Sequence, residues 1–376
     1  MKLAIISHTA HYKDASGTIV GWGPTITEIN HLAAHFEHIY HVAFLHSEVA
    51  PPSAIPYCAE NITFVPLPPS GGNTILSKLS VLKTAPIVIK TVQKTLKKVD
   101  AFQLRTPIGM GVYLIPWLTL FSKKTGWFKY AGNWKQDHAP WGYALQRWML
   151  KKQHRVVTIN GSWEDQPAHC LTFENPCLTE TERIEGNVVA ENKDFSSQFS
   201  FCFVGRLEDE KGVQRILDAF ALLPNTEKIK QLHFVGNGEK FEVYRKFANE
   251  KNLPATFHGF LARDKVFEIY RKSHFLLLPS TASEGFPKVI AEAMNFGCLP
   301  IVSKVSSIAQ YIEDSNGFIV DPVTTIELKK EVFNVIDAAP TILKSKALKA
   351  HQKVDSFTFE YYNNRILSEI VNPKSN

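Results

Sequence analysis

Phe203-Val204-Gly205-Arg206-Leu207-Glu208-Asp209-Glu210-Lys211-Gly212 reads as the end of a buried strand, a tight turn and the approach to a helix. The apolar run 200–204 stops at Gly205, where the lack of a Cβ permits close backbone approach. Arg206 follows at once, and Lys211 stands five residues later, before the apolar periodicity of 213–222. In parallel α/β sheets the loops leaving the carboxyl ends of strands bind ligands. Two cations beside a helix N-terminus, where backbone amides also favour an anion, suit a diphosphate. Taken alone, the stretch is equally a strand–turn–helix with two surface charges.

The same alternation of strand and helix surrounds it. Strands are predicted at 2–7, 39–45, 62–66, 101–104, 127–130 and 155–159, with helices at 25–36, 75–98 and 141–151. The rhythm restarts with strands at 200–204, 231–235, 255–257, 275–278, 299–302 and 317–320. Helices there fall at 213–222, 241–250, 264–273, 287–296, 307–312 and 325–337. Strand–helix alternation predicts doubly wound parallel sheets, and its repetition over 376 residues predicts two such domains. The join is placed in the polar stretch 186–197. The domains are then 1–190, 191–355 and a C-terminal helix, 356–376, that could pack on either of them.

A second stretch after a predicted strand carries chemistry. In Ser283-Glu284-Gly285-Phe286-Pro287-Lys288-Val289-Ile290-Ala291-Glu292-Ala293-Met294, Pro287 suits the first helical position and Gly297 stands just past the helix end. The first-turn amides would point at a ligand. Glu284 and Glu292 are suited to sugar hydroxyls, since an ionised carboxylate accepts from two adjacent O–H groups. The competing reading is a surface helix with two solvated acids.

The Gly-Arg-Leu…Lys-Gly element followed by Glu284-Gly285-Phe286-Pro287 and Glu292 resembles the retaining glycosyltransferases of family 4, from about Phe201 to Val320. The resemblance implies the GT-B fold, two Rossmann-like domains facing across a cleft. It implies a hexosyltransferase-type enzyme that moves a sugar, with retention, from a UDP- or GDP-linked donor to a saccharide or lipid-linked acceptor in cell-surface polysaccharide or glycolipid synthesis. Arg206 and Lys211 would neutralise the diphosphate, Glu284 would contact the donor sugar, and Glu292 would hold the ribose hydroxyls. Gly205, Gly285, Phe286, Pro287, Lys288 and Val289 would contribute backbone contacts to the donor. Gly236 and Gly238 resemble the family's glycine turn, and Phe260 and Leu261 would line the base pocket. Gly21 and Gly23 resemble the glycine-rich loop facing the diphosphate, although the pattern is not a dinucleotide fingerprint. Where many members carry a His, this chain has Asn133-Trp134, with His138 beyond. Either Asn133 takes the sugar contact or His138 reaches in.

No Asp-x-Asp stands at a strand end, so metal independence is expected, and no cofactor is called for. A nucleotide-sugar 2-epimerase on the same fold and a non-catalytic nucleotide-sugar binding protein are the alternatives. Protein partners are not specified, and no nucleic-acid recognition motif accompanies the charge.

That charge is uneven. Between Lys78 and Arg155 fifteen basic residues face two acidic ones, a net +13, leaving −7 for the rest of a chain of net +6. The segment also holds Trp117, Trp127, Phe128, Trp134, Trp141 and Trp148. Basic plus aromatic composition suits an anionic membrane surface or a phosphate-bearing lipid, and a solvated basic face over an aromatic core is the plainer reading. Residues 1–7 lack the length and cleavage site of a signal peptide. The apolar run 111–121 is interrupted by Pro116 and falls short of the roughly 18–20 residues of a span. Five cysteines without metal-knuckle spacing fit a reduced compartment. A cytoplasmic protein, peripheral at the inner membrane face, is expected.

Overall fold

The computed structural model describes residues 1–72, 74–224 and 227–373. Its contacts divide the chain into two units, Met1–Glu174 with the chain from Phe359 on, and Asn175–Thr358. The join therefore lies near 174/175 rather than 190/191, and the last boundary at 358/359 rather than 355/356.

The first unit contains β1 (Lys2–Lys13), β2 (Ile19–Trp22), α1 (Gly23–Ala33), β3 (His38–Leu45), β4 (Ala54–Pro56), β5 (Ile62–Leu67), α2 (Ile75–Leu96), β6 (Ala101–Thr106), α3 (Gly111–Phe121), β7 (Thr125–Tyr130), α4 (Trp141–Lys152), β8 (Val157–Ile159) and β9 (Cys170–Thr172). β5, β3, β1, β6, β7, β8 and β9 lie side by side and parallel. Its central strands β1, β3, β6 and β7 are buried on both faces, so they read as near-continuous apolar runs. Ala4 and Ile6 of β1 pack with Val88, Leu114, Leu118 and Leu150, from α2, α3 and α4. Leu3 and Ile5, on the alternate face, pack with Ile29 and Leu32 of α1. β2 folds back antiparallel on the end of β1, where residues 14–17 turn.

The second unit contains α5 (Glu180–Asn192), β10 (Phe199–Val204), α6 (Val213–Ala221), β11 (Ile229–Val235), α7 (Phe241–Glu250), β12 (Ala255–Phe257), α8 (Arg263–Lys272), β13 (Phe275–Leu278), α9 (Lys288–Asn295), β14 (Leu299–Ser303), α10 (Ile308–Tyr311), β15 (Phe318–Val320), α11 (Thr325–Asp337) and α12 (Pro340–Lys353). Its sheet runs β12-β11-β10-β13-β14-β15, all parallel.

The chain then returns. α13 (Phe359–Arg365) and a π-helical turn, Ile366–Val371, belong to the first unit, where Tyr362, Ile366 and Ile370 pack with Leu3, Ile5 and Trp127. Arg365 fastens this return: its guanidinium donates to the Thr172 carbonyl at 2.8 Å and lies 4.0 Å from the centre of the Phe173 ring. The final three residues of 356–376 lie outside the described residues.

The first part of the stretch read as a linker, 186–192, is the C-terminal half of α5. Thr179 and Glu182 form a capping box at its start, and its buried contacts are made by Gly186 and Ala190. A Cβ at Gly186 would stand 2.5 Å from the Asn295 carbonyl oxygen. Small residues seat this helix closely, so it shows no apolar stripe. The apolar run 111–121 is α3, and among the described residues no helix is long and apolar enough to cross a membrane.

Candidate active site

In the second unit β10 has β11 on one side and β13 on the other, so the chain's winding reverses between β10 and β13. Open α/β sheets form a crevice at such a reversal, outside the carboxyl ends of the strands. Both quoted stretches leave those two strands. They meet there: Lys211 Nζ donates to Glu284 Oε1 at 2.6 Å, 73 residues away in sequence. The two side chains keep 20% and 32% of their exposure, so the pair is reachable from solvent.

The loop 205–212 is fixed from both sides. Gly205 N–H donates to the Val235 carbonyl, and Leu207 N–H to the Asn237 carbonyl, both at 3.0 Å. On the other side Thr281 N–H donates to the Glu210 carbonyl at 2.7 Å. The glycines make these approaches possible. Gly236, at φ +129°, leaves space that the Gly205 carbonyl oxygen fills, 1.9 Å from where a Cβ would be. At Gly238 the Leu207 carbonyl oxygen would be 2.1 Å from a Cβ. Gly236 and Gly238 thus shape the cation-bearing loop. Arg206 is exposed at 77% and pairs with Glu208 at 2.5 Å. Asp209 receives Lys240 and the Tyr244 hydroxyl, and these hydrogen bonds hold its carboxyl below the usual range.

On the β13 side Ser303 Oγ donates to the buried Ser280 carbonyl at 2.5 Å. The helix begins one residue later than expected: Pro287 is the cap, with ψ 122°, and α9 starts at Lys288. Gly297, at φ +69°, closes it, with Cys298 N–H donating to the Ala293 carbonyl at 3.0 Å. The Phe286 ring is buried against Tyr311 and Phe357, so only its backbone faces outward chemistry. Gly285 lies in the same backbone segment, and Val289 packs against the core. Phe260 is 41% exposed after β12, while Leu261 packs on the core.

Glu292 lies on α9 with 12% of its side chain exposed, and its Oε1 accepts from Arg263 Nη1 at 2.8 Å. Arg263 also donates to both Glu182 oxygens, at 3.2 and 2.8 Å, and to the Cys177 carbonyl. Burial opposes its charge, but the Glu292 and Glu182 carboxylates outweigh burial and raise its guanidinium above its ordinary range. Sequence reasoning did not find Arg263. Its partners are 29 and 81 residues away, and Glu182 was not singled out.

The expectations for the first unit change more. Gly21 lies in β2 and Gly23 opens α1, so the expected glycine loop is a strand–helix junction. The helix starts two residues before Thr25 because Pro24 fits its first turn. A Cβ at Gly21 would strike the His11 ring at 2.6 Å, and one at Gly23 the Ser53 carbonyl at 2.9 Å. Both glycines are used in internal packing. Trp134 is buried, edge-on to Tyr130 at 5.1 Å, so its ring is core and not a sugar platform. Asn133 organises its own loop: its Oδ1 accepts from Lys135 N–H at 3.0 Å and its carbonyl from Arg147 at 3.1 Å. His138 is exposed in the turn before α4.

Residues 188–351 match the family model described as Glycosyl transferases group 1. The chain is 30% identical over 165 residues to an uncharacterized glycosyltransferase of Methanocaldococcus jannaschii, covering 42% of each. It is 34% identical over 106 residues to a lipopolysaccharide 1,6-galactosyltransferase of Salmonella typhimurium, covering 27% of this chain and 29% of that one. These alignments thus span less than half of either relative. The structure resembles Anabaena Alr3699/HepE in complex with UDP and glucose at TM-score 0.70 and 16% identity, covering 99% and 100% of the two chains. It resembles WaaG, a glycosyltransferase involved in lipopolysaccharide biosynthesis, at TM-score 0.67 and 14% identity, covering 98% and 100%. The fold is GT-B, two parallel-sheet α/β domains.

Proposed function

We propose that the protein is a retaining glycosyltransferase of family 4 type. It takes a sugar from a UDP- or GDP-linked donor and passes it to a saccharide or lipid-linked saccharide in cell-surface polysaccharide or glycolipid assembly. The observation that carries this reading is the Lys211–Glu284 pair at the strand-order reversal of the second unit. Arg206, Lys211 and Glu284 are the catalytic group. As the donor's glycosidic bond breaks, negative charge grows on the diphosphate and is stabilised by Lys211 and the exposed Arg206 guanidinium. Two protein cations take the place of a divalent metal, so the reaction is metal-independent. Glu284, released from Lys211 by the incoming phosphate, accepts from donor-sugar hydroxyls, and Glu292 accepts from the ribose. The acceptor oxygen attacks the face the diphosphate leaves, and a diphosphate oxygen takes its proton. A covalent sugar adduct on Glu284 would refute that step. Lipopolysaccharide transferases among the relatives support a lipid-linked acceptor.

Thermal unfolding in the presence of UDP, GDP, ADP and NAD tests the reading. One nucleoside diphosphate at a hundred times its Kd adds about 2.7 kcal/mol, and Lys211→Ala and Glu292→Ala abolish the gain. Protection by none, in a folded sample, refutes it. Protection without sugar transfer or hydrolysis favours the non-catalytic binding protein, and sugar isomerisation favours the 2-epimerase.

We also propose a cytoplasmic protein whose first unit rests on the inner membrane face. Of the basic segment's aromatic residues, Trp127, Phe128 and Trp134 are core, but Trp141 and Trp148 on α4 are 75% and 59% exposed. Leu79 and Leu82 of α2, and Leu120 and Phe121 of α3, are exposed beside the lysines of the same helical layer. Apolar anchors among cations complement an anionic leaflet.

A further inference from the structure

We infer that Arg263 is the positioning residue for Glu292: it orients that carboxylate for the two ribose hydroxyls of the nucleotide, and so sets nucleotide affinity without touching the nucleotide. The inference rests on the ribose role proposed for Glu292 and extends it to a residue on a different helix.

A glutamate on a helix has three soft torsions, and ordering it on binding costs rotamer entropy. Here that cost is met before any ligand arrives. Glu292 Oε1 is held at 2.8 Å by Arg263 Nη1. The guanidinium is itself held on its other edges by both oxygens of Glu182 and by the Cys177 carbonyl. Its plane lies 4.2 Å from the centre of the Phe267 ring, one turn along α8. The fork geometry of a guanidinium makes it a rigid clamp. The clamp takes one oxygen of Glu292, and no described residue hydrogen-bonds to Oε2.

Charge points the same way. Two carboxylates share one guanidinium, so the group Glu182–Arg263–Glu292 is net negative. It is therefore still an acceptor of O–H hydrogen bonds when the cation is fully used, which a one-to-one pair would be only weakly. Without Arg263 the two carboxylates would be left facing each other in a mostly covered place. Glu292 then loses the contact that fixes its carboxylate, and its orientation toward the ribose with it.

The test is binding of UDP and GDP, and of their 2′,3′-dideoxy counterparts, by calorimetry to wild type, Arg263→Lys, Arg263→Gln, Glu292→Gln and the Arg263→Gln/Glu292→Gln double variant. Arg263→Gln is expected to weaken the protective nucleotide roughly tenfold, as loss of a charge-assisted contact does. It leaves the dideoxy nucleotide unchanged, and adds nothing in the Glu292→Gln background. Arg263→Lys recovers part of the affinity. Equal weakening of ribo and dideoxy nucleotides, or full additivity with Glu292→Gln, overturns the positioning role and makes Arg263 a structural clamp only. If Arg263→Gln does not fold, Arg263→Lys carries the same comparison. Failure of the parent reading looks different: wild type binds neither UDP nor GDP, or Glu292→Gln binds as wild type does.

Discussion

Gly236→Ala probes the packing that aims the cations. The added Cβ would stand 1.9 Å from the Gly205 carbonyl oxygen, where real contacts stay beyond about 3.0 Å. One backbone must move by about 1.1 Å, and the listener to that movement is Arg206, the next residue. Overpacking of this kind costs about 1–3 kcal/mol. Placing an L-residue at φ +129° adds about 1–3 kcal/mol more. For a unit of this size each kcal/mol is roughly 2–4 °C in Tm, so the melting transition of the second unit should fall by about 4–24 °C. Binding should suffer separately, because a displacement near 1 Å costs about a hundredfold in a positioned reaction. Differential scanning calorimetry reads the first effect, and nucleotide titration well below the lowered Tm reads the second. A variant that melts like wild type and binds nucleotide equally would show that the two loops are not in the tight contact described, and would remove the basis for calling Gly236 a shaper of the site.

Acid should destabilise both units. Burial lowers His11, His233 and His274 to about 4 and holds His41 well below 6.5. The unfolded chain therefore binds more protons between those values, and the contribution is full above about pH 6.5 and lost as pH falls toward 4. Unfolding in urea at about pH 5.5 should take up protons; proton release or a Tm flat from pH 7 to 4.5 would contradict this. Glu28→Ala should cost about 3–5 kcal/mol by leaving Arg105 and Lys129 without the buried carboxylate that meets them at 2.8 and 2.5 Å, and a calorimetric Tm within a degree of wild type would refute it. Vesicles containing anionic lipid should pull the protein down at low salt and release it at high salt, with Trp141→Ala/Trp148→Ala weakening capture; equal capture by neutral vesicles would sink the membrane proposal.

The central strands of both parallel sheets were legible because they are buried on two faces and so stand out as short apolar runs. β2, β4 and β9 were not, being three or four residues long and half-buried. α12 was missed because its buried face is built from Leu343, Ala347, Ala350 and His351, too small and polar to show a stripe. In the site, Lys211 and Glu284 could be named because each sits in a strand-end motif. Their contact could not, since it depends on β10 and β13 being neighbours. Trp134, named beside Asn133 on the sugar side, is instead closed over by the fold, which the sequence pattern does not show.

The two units dispose of their polar groups in opposite ways, and the contrast bears on where ligand chemistry resides. Beside the end of β1, Thr9 offers His11 Nδ1 a carbonyl at 2.9 Å, which can only accept, so that nitrogen carries the proton. His11 Nε2 must then accept from the Tyr57 hydroxyl at 2.7 Å, which also meets His41 Nδ1 at 2.6 Å, while Ser7 Oγ lies 2.8 Å from His41 Nε2 and donates to Thr9 Oγ1 at 2.9 Å. Burial keeps both imidazoles neutral, and Ser7, His11 and His41 are buried. Such a closed network rigidifies a strand end and has nothing left to offer a ligand. The Lys211–Glu284 pair is partly exposed, so an incoming anion can compete for Lys211. A diphosphate carrying more charge than one carboxylate can therefore replace Glu284 on Lys211, which frees the carboxylate for sugar hydroxyls in the same event. Exchangeable partners, rather than the number of charged groups, are what fit the β10–β13 crevice to the leaving-group role we propose for it.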